Sequence, residues 1–171
     1  MVAGIPLTAT AIKLNDPVFL SLMTWPFKDE FVFRLLRDDV PQRIKYGYCR
    51  MWAYLDPQST IVGFGTLDIC DECSQFTDGK PHTYIPLLAV HPDMQGRGHG
   101  KSIVNHLVGE AACVVAGINI DIHHAVFLDV YEDSAQAIGL YTRCEFFKLN
   151  GPFVDSVNGK NFLVMAKRVT A

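Results

Sequence analysis

The sequence predicts an α+β fold, in which helices flank a mixed, mostly antiparallel sheet. Residues 48–55 and 60–69 alternate between apolar and polar side chains around a turn, which is typical of an antiparallel hairpin. Residues 84–115 have the pattern of a strand, a glycine-rich loop and an amphipathic helix. Residues 125–131 are almost wholly apolar, as expected of a strand buried on both faces, so the last two segments predict a βαβ crossover.

Composition predicts a globular protein that binds neither nucleic acid nor a membrane. The chain has 171 residues, of which 49% are hydrophobic, and this is enough for a single domain over residues 1–171. The net charge of -3 supplies no basic excess for an anionic partner. Since no apolar run reaches ~18 residues, no transmembrane helix is expected. The five cysteines and the absence of a basic, apolar leader predict reduced thiols in the cytoplasm.

Capping and turn residues predict the elements of the first half of the chain. A short strand is predicted at 12–14, and Asn15 or Asp16 can cap a helix that runs to about Met23. A second amphipathic helix is predicted at 28–38, and Pro41 is expected to end that region.

The second half is predicted to contain two helices and four strands. The predicted segments are a polar loop at 70–82, a strand at 84–90, a helix at 101–115, a strand at 125–131, a helix from Asp133 or Ser134 to about Cys144, and strands at 145–149 and 160–169 joined by an Asn158-Gly159 turn.

The loop after the strand at 84–90 has the chemistry of an anion-binding site. Gly96, Gly98 and Gly100 stand at every second position and allow the backbone to turn tightly and to approach a ligand closely. The helix that follows offers unpaired N–H groups and a partial positive charge. A phosphate or pyrophosphate is therefore the expected ligand.

A nucleotide-binding P-loop is the competing interpretation, because Gly100-Lys101-Ser102 resembles the end of such a loop and residues 125–129 resemble its partner strand. The P-loop pattern requires glycine at position 95, where the chain has Gln95. The predicted strand also ends five residues too early, at Val90. Both departures count against ATP.

Two motifs resemble the GNAT family of N-acetyltransferases. Gln95-Gly96-Arg97-Gly98-His99-Gly100 matches the family's Q/R-x-x-G-x-G/A loop, and Leu88-Ala89-Val90-His91-Pro92 looks like the strand end before it. Residues 134–141 resemble the family's N-x-x-A-i-x-l-Y helix, although Ser134 replaces the usual asparagine and Glu145 replaces the glycine before Phe146.

The resemblance implies a single-domain GNAT fold whose sheet is splayed between its fourth and fifth strands, and it implies acetyl-CoA as the cofactor. In such a fold the loop wraps the pyrophosphate, and the pantetheine arm pairs with the fourth strand. A bulge or splay beside Pro86, which has no N–H, would free backbone groups for that arm. The implied cofactor-binding residues are Leu88, Ala89, Val90, Gln95, Gly96, Arg97, Gly98, His99, Gly100, Lys101, Ser134 and Tyr141.

The resemblance also implies direct attack of an amine on the thioester, with a backbone N–H of Leu88 or Ala89 stabilising the oxyanion. Tyr141 matches the family's general acid; otherwise it packs its helix onto the sheet. The general base stays open among Asp68, Asp71, Glu72, His82, Tyr84 and water. No metal site is predicted, because Cys70 and Cys73 form a single pair with metal-ligand spacing.

The sequence therefore predicts an enzyme that transfers an acetyl group to a primary amine of a small molecule or peptide. In this family the region of Trp25, Phe27, Phe31 and Phe33 borders the acceptor site, so this cluster lines a pocket or belongs to the core. Homodimers are frequent in such folds, so a homodimer is one expected state. The alternative function is a non-catalytic coenzyme A sensor or scaffold.

Overall fold

The computed structural model describes residues 6–26, 32, 34–70 and 76–170. Among these residues are six helices, one of them a three-residue 3₁₀ helix at Pro92–Met94, and eight strands, and the chain divides into two compact units. The first unit comprises Met1–Asp68 and Leu87–Ile103, and the second comprises Ile69–Pro86 and Val104–Ala171. None of the helices in this described part of the chain is long and apolar enough to cross a membrane. The single domain over residues 1–171 stays a prediction.

The first unit is built on antiparallel strands that pair in the order β1-β2-β3-β5. The strands are β1 (Thr8–Ala11), β2 (Cys49–Leu55), β3 (Ile61–Cys70) and β5 (Leu88–Val90). Before β2, the described residues include three short helices: α1 (Pro17–Leu22), α2 (Leu35–Asp39, with π-helical hydrogen bonds) and α3 (Val40–Lys45). The predicted hairpin is confirmed, with Asp56 Oδ1 accepting hydrogen bonds from the N–H groups of Gln58 and Thr60 at 3.0 and 2.8 Å.

One hydrophobic core holds these helices and strands together. Its fully or nearly fully buried members include Phe19, Leu22, Leu36, Val40, Met51, Ala53, Phe64 and Leu87. Trp25 packs against this core, with its ring 5.7 Å from that of Phe64 and 5.0 Å from that of His91. Phe27, Phe31 and Phe33, the other members of the predicted aromatic cluster, lie outside the described residues.

Two predictions for the N-terminal region are wrong. The first strand lies at Thr8–Ala11, not at 12–14, because its small, mostly exposed side chains give no apolar alternation and backbone pairing with β2 defines it. Pro41 does not end a helical region; it lies in the first turn of α3, where its missing N–H costs nothing. The predicted cap is confirmed, since Asp16 Oδ1 accepts the Val18 N–H at 2.9 Å. Of the helix predicted at 28–38, residues 28–31 and 33 lie outside the described part.

The second unit contains the strands that pair in the order β4-β6-β8-β7. The strands are β4 (His82–Tyr84), β6 (Ala125–Tyr131), β7 (Phe147–Val154) and β8 (Asn161–Arg168). The β4 and β6 strands are parallel, and the other two pairings are antiparallel. The helix α4 (His99–Gly117) begins in the first unit and continues into the second, where α5 (Ala135–Arg143) follows β6. The predicted α+β class with mixed, mostly antiparallel strands is confirmed.

The predicted strand at 84–90 is interrupted. Its region supplies two short strands, β4 and β5, which are separated by residues 85–87 without strand structure. The Ile85 N–H donates to Phe127 O in the second unit, and Leu87 O accepts the Thr66 N–H in the first, both at 2.9 Å. Pro86 lies between them and has no N–H to donate. The pairing of this segment with β6 therefore ends at this proline.

The end of α5 is a Schellman motif that carries an unusual residue. The Phe146 N–H donates to Tyr141 O and the Glu145 N–H to Thr142 O, both at 3.0 Å. Glu145 adopts the left-handed conformation with φ of 67°, which favours glycine. The Lys167 ammonium, which donates to Glu145 Oε2 at 3.0 Å and to Cys144 O at 2.9 Å, holds the turn. The motif brings the Tyr141 and Phe146 rings to 5.8 Å.

Gly63 lies where β3, β5 and the start of α4 meet in the first unit. A Cβ atom at this position would lie 2.5 Å from Ile103 Cδ1 and 2.8 Å from Ala89 O. The side chain of Ile103 can move, but the carbonyl belongs to the paired backbone of β5. Glycine is therefore what allows β5 and α4 to approach β3.

We expect Gly63→Ala to lower the free energy of unfolding by about 1–3 kcal/mol, because the new methyl group must displace the Ala89 backbone. Gly109→Ala is the matched control: a Cβ there meets nothing within 4 Å, and the helix should gain about 0.5–1 kcal/mol. Urea denaturation measures both. A Gly63→Ala protein as stable as the parent would contradict the close packing.

We expect Glu145→Gly to be about 1 kcal/mol more stable than Glu145→Ala, because both variants lose the carboxylate and only glycine adopts the left-handed conformation without strain. Thermal unfolding of the two variants measures the difference. Equal stabilities would show that the conformation of residue 145 costs nothing.

Candidate active site

The glycine loop has the backbone conformation that its sequence predicts. Gly96 and Gly98 have φ angles of 76° and 86°, which favour glycine. A Cβ at either position would meet nothing within 4 Å, so the loop leaves open space beside its backbone. The helix α4 begins at His99, directly after the loop. The Lys101 and Ser102 N–H groups donate to Gly98 O at 3.1 and 3.3 Å, so the N–H groups that suit an anion are those of the first two helical residues, His99 and Gly100.

The polar side chains of the loop have different surroundings. Gln95 Nε2 donates to Val90 O at 3.2 Å and so ties the loop to the end of β5. Arg97 is exposed and donates to Asp93 O at 3.1 Å, and Lys101 is exposed on the first turn of α4. The His99 side chain is buried, so any contact of this residue with a ligand involves its backbone.

The strand β5 offers backbone groups of alternating direction. Its register pairs Phe64 with Ala89, and in the flanking pair the His91 N–H donates to Val62 O at 2.9 Å. Bonded residues alternate along an antiparallel pair. Ala89 therefore bonds to β3, and the N–H and C=O groups of Leu88 point away from it. Of the two predicted oxyanion donors, the geometry favours Leu88.

The helix α5 carries the other predicted site residues, Ser134 and Tyr141, in the second unit. Ser134 is the N-cap of α5, but its hydroxyl makes no capping hydrogen bond. The Tyr141 ring is partly buried against Phe146. Burial, with a smaller contribution from the Cys144 charge, raises the pKa of Tyr141 to about 12. Its phenol therefore carries a proton throughout the neutral range, as a general acid requires.

The structure separates the candidate bases. Asp68 is buried in the first unit and forms an ion pair with Arg43. Burial raises the pKa of the Asp68 carboxyl, while the Cys49 hydrogen bond and the Arg43 charge oppose the rise. Because it is paired with a guanidinium, Asp68 is poorly suited to accept a proton from an amine. Asp71 and Glu72 lie outside the described residues, as does Cys73 of the predicted cysteine pair.

The remaining candidates, His82 and Tyr84, line a cavity of about 310 Å³ in the second unit. Most of its wall consists of aromatic rings and one carboxylate. We call it the aromatic cavity. The aromatic rings and the carboxylate of its wall belong to Phe76, Tyr84, Phe127, Asp129, Phe153 and Phe162. His82 and Val164 complete its lining. Tyr84 forms a side-chain hydrogen bond with Asp129.

Sequence reasoning missed Asp129 and the rings of β7 and β8. Asp129 is the one acidic residue in the otherwise apolar segment 125–131, and a charge in such a strand was a detectable signal. Phe153 and Phe162 gave no such signal, since only the register, which pairs them, brings them together. Among the described residues, no group of three His, Cys, Asp or Glu side chains could hold a metal ion.

Several solved structures share this fold. The chain matches a structure of AtaTR bound with acetyl-CoA with a TM-score of 0.64 and 20% identity, covering 91% of each chain. It matches the NatC complex bound to Gag peptide and CoA with a TM-score of 0.70 and 14% identity, covering 96% of this chain and 99% of that one. It also matches spermidine N-acetyltransferase from Vibrio cholerae in complex with CoA and spermine, with a TM-score of 0.62 and 18% identity, covering 95% of each chain.

At these identities the likeness establishes the fold, and no curated protein sequence matches the chain. The family is established by sequence: the pattern of the Acetyltransferase (GNAT) family matches residues 17–146. This range includes the glycine loop and both Ser134 and Tyr141. The chain belongs to the GNAT family of acetyltransferases.

Proposed function

We propose that this chain transfers the acetyl group of acetyl-CoA to a primary amine of a small molecule or peptide, by direct attack in a ternary complex. Family membership makes the chain an acetyl-CoA-dependent N-acetyltransferase, and the acceptor and the roles of individual residues are the proposed part. The observation that carries the proposal is the loop with left-handed Gly96 and Gly98 directly before α4. Neighbours that hold spermine in one case and a peptide in another support an amine acceptor.

The loop and β5 are the groups that fit the cofactor. Open space beside Gly96 and Gly98 leaves room for a pyrophosphate against backbone N–H groups, and Arg97 and Lys101 add positive charge. The backbone of Leu88 points away from β3 and can pair with an amide of the pantetheine arm. The predicted cofactor contacts at Leu88, Ala89, Val90, Gln95, Gly96, Arg97, Gly98, His99, Gly100, Lys101, Ser134 and Tyr141 stay predictions.

The chemistry requires an oxyanion donor and a proton for sulfur. When bound, acetyl-CoA would supply an acetyl thioester for attack by a neutral amine, whose nitrogen would give up a proton to the general base or to water as sulfur leaves. The Leu88 N–H is the proposed donor to the carbonyl oxygen, because the Ala89 N–H bonds to β3. Tyr141 holds the proposed proton, since its pKa of about 12 keeps the phenol protonated. A cytoplasmic location and a homodimer also stay predictions.

The function is tested by measuring acetyl-CoA binding and then free thiol release with a panel of amines and peptides. We expect saturable binding of acetyl-CoA and thiol release with at least one amine of the panel. Gly98→Ala is expected to weaken acetyl-CoA binding, because alanine at the φ angle of 86° is strained and its methyl group fills the space beside the loop. Gly109→Ala, in the middle of α4, is the control. Binding of acetyl-CoA without thiol release from any amine would favour a sensor or scaffold.

Tyr141→Phe is expected to lower kcat about 10²–10⁴-fold and to leave acetyl-CoA affinity nearly unchanged, because the variant keeps the ring against Phe146 and removes only the proton donor. Because the pKa of Tyr141 is about 12, its phenol stays protonated between pH 7 and 9, and we expect no loss of turnover from its ionisation in this range. Steady-state kinetics over this pH range measure both. Unchanged kcat in Tyr141→Phe would assign the residue to packing alone.

A further inference from the structure

The aromatic cavity is the most chemically distinctive feature of the second unit. The register of the strands explains why its side chains share one face of the sheet. Tyr84 of β4 pairs with Phe127 of β6, and Phe153 of β7 pairs with Phe162 of β8. Side chains alternate between faces along a strand, so Phe127 and Asp129 point to the same side. Four strand positions therefore place aromatic rings around one carboxylate.

The rings form a contiguous aromatic wall. The Phe153 ring lies 5.6 Å from that of Phe162 and 6.0 Å from that of Phe76, with tilted and edge-on geometry. Together with Phe127 and Tyr84 they supply five aromatic faces and edges to one cavity. An aromatic face attracts a cation through the negative potential above its ring.

The carboxylate of Asp129 is the one acidic group of this lining, and no Lys or Arg lies among the lining residues. Within the described parts of the chain, Asp129 takes part in no ion pair. Its side chain is accessible, yet the surrounding groups remove enough water to raise the pKa of the carboxyl, against the hydrogen bond from Tyr84. A negative charge in this position is compensated best by a ligand cation.

We propose that the aromatic cavity binds an organic ammonium group, with the nitrogen against the Asp129 carboxylate and its carbon substituents on the rings of Phe127, Phe153 and Phe162. The volume of about 310 Å³ suits a small alkylammonium or the end of a longer amine. The inference rests on the proposed function in one respect: it takes the bound ammonium group to be part of the acceptor substrate of acetyl transfer. It assigns a substrate class, cationic amines with apolar substituents.

Binding is tested without turnover by using a cation that cannot be acetylated on nitrogen. Choline and 3,3-dimethyl-1-butanol have nearly the same shape and differ in charge. Ligand-observed NMR titration of the whole chain measures both affinities. We expect choline to bind at least about tenfold more tightly than the neutral alcohol, which corresponds to the combined effect of the carboxylate and the rings. Equal affinities would overturn the proposal.

Two variants separate the charge from the rings. Asp129→Asn keeps the shape and removes the charge, and Phe153→Leu keeps apolar volume and removes one ring. Each is expected to weaken choline binding by about threefold to tenfold and to leave the neutral alcohol unchanged. Asp121→Asn is the matched control, because Asp121 is an exposed acidic residue outside the cavity. Unchanged choline affinity in Asp129→Asn would overturn the proposal, and acetyl-CoA binding reports that each variant is folded.

The result also distinguishes this inference from the proposed function. Selective choline binding in a protein that acetylates no amine would sustain the cavity and overturn the transferase. Acetylation of amines with the same kcat/KM in the parent and in Asp129→Asn, together with equal binding of choline and the alcohol, would sustain the transferase and overturn the cavity as an ammonium site.

Discussion

The end of strand pairing with β6 at Pro86 is the constraint on which the rest of the structure depends. One apolar segment supplies β4 to the second unit and β5 to the first. Proline cannot donate the hydrogen bond that a continuous strand would require at its centre. Leu87 O is bonded to Thr66 on one side of the break, and the Ile85 N–H is bonded to Phe127 on the other. The short strand β5 keeps backbone groups at Leu88 that are directed away from β3, and these are the groups that a ligand amide can use.

Two left-handed segments, the glycine loop and the end of α5, show how the same backbone conformation is supported differently. Gly96 and Gly98 reach positive φ without steric cost, and the space beside them stays open for a ligand. Glu145 reaches it at a cost, which the Schellman hydrogen bonds and the Lys167 ammonium offset. The glycine loop is therefore suited to bind a ligand through its backbone. The turn at Glu145 instead positions Tyr141, which lies one helical turn before it, with its ring against Phe146.

Asp68 and Asp129 lie in similar sequence contexts, but their different partners suit the two carboxylates to different roles. Both follow apolar strand residues, and burial raises the pKa of both. Asp68 is paired with Arg43, so its charge is compensated within the first unit. Asp129 has the hydroxyl of Tyr84 and a wall of aromatic rings. The Asp68 carboxylate, which is compensated by a guanidinium, stabilises the fold, whereas the accessible Asp129 carboxylate, which forms no ion pair with the described residues, is suited to a ligand.

The sequence by itself determined the fold class, the family and the glycine loop, because periodicity, turn residues and the order Gly96, Gly98, Gly100 are local properties of the chain. Only the tertiary structure decided the position of β1 and the aromatic cavity. These depend on backbone pairing and on register, which join residues far apart in the sequence. The pairing of Phe153 with Phe162 is the clearest case, since neither residue alone marks a site until the sheet places both beside a carboxylate.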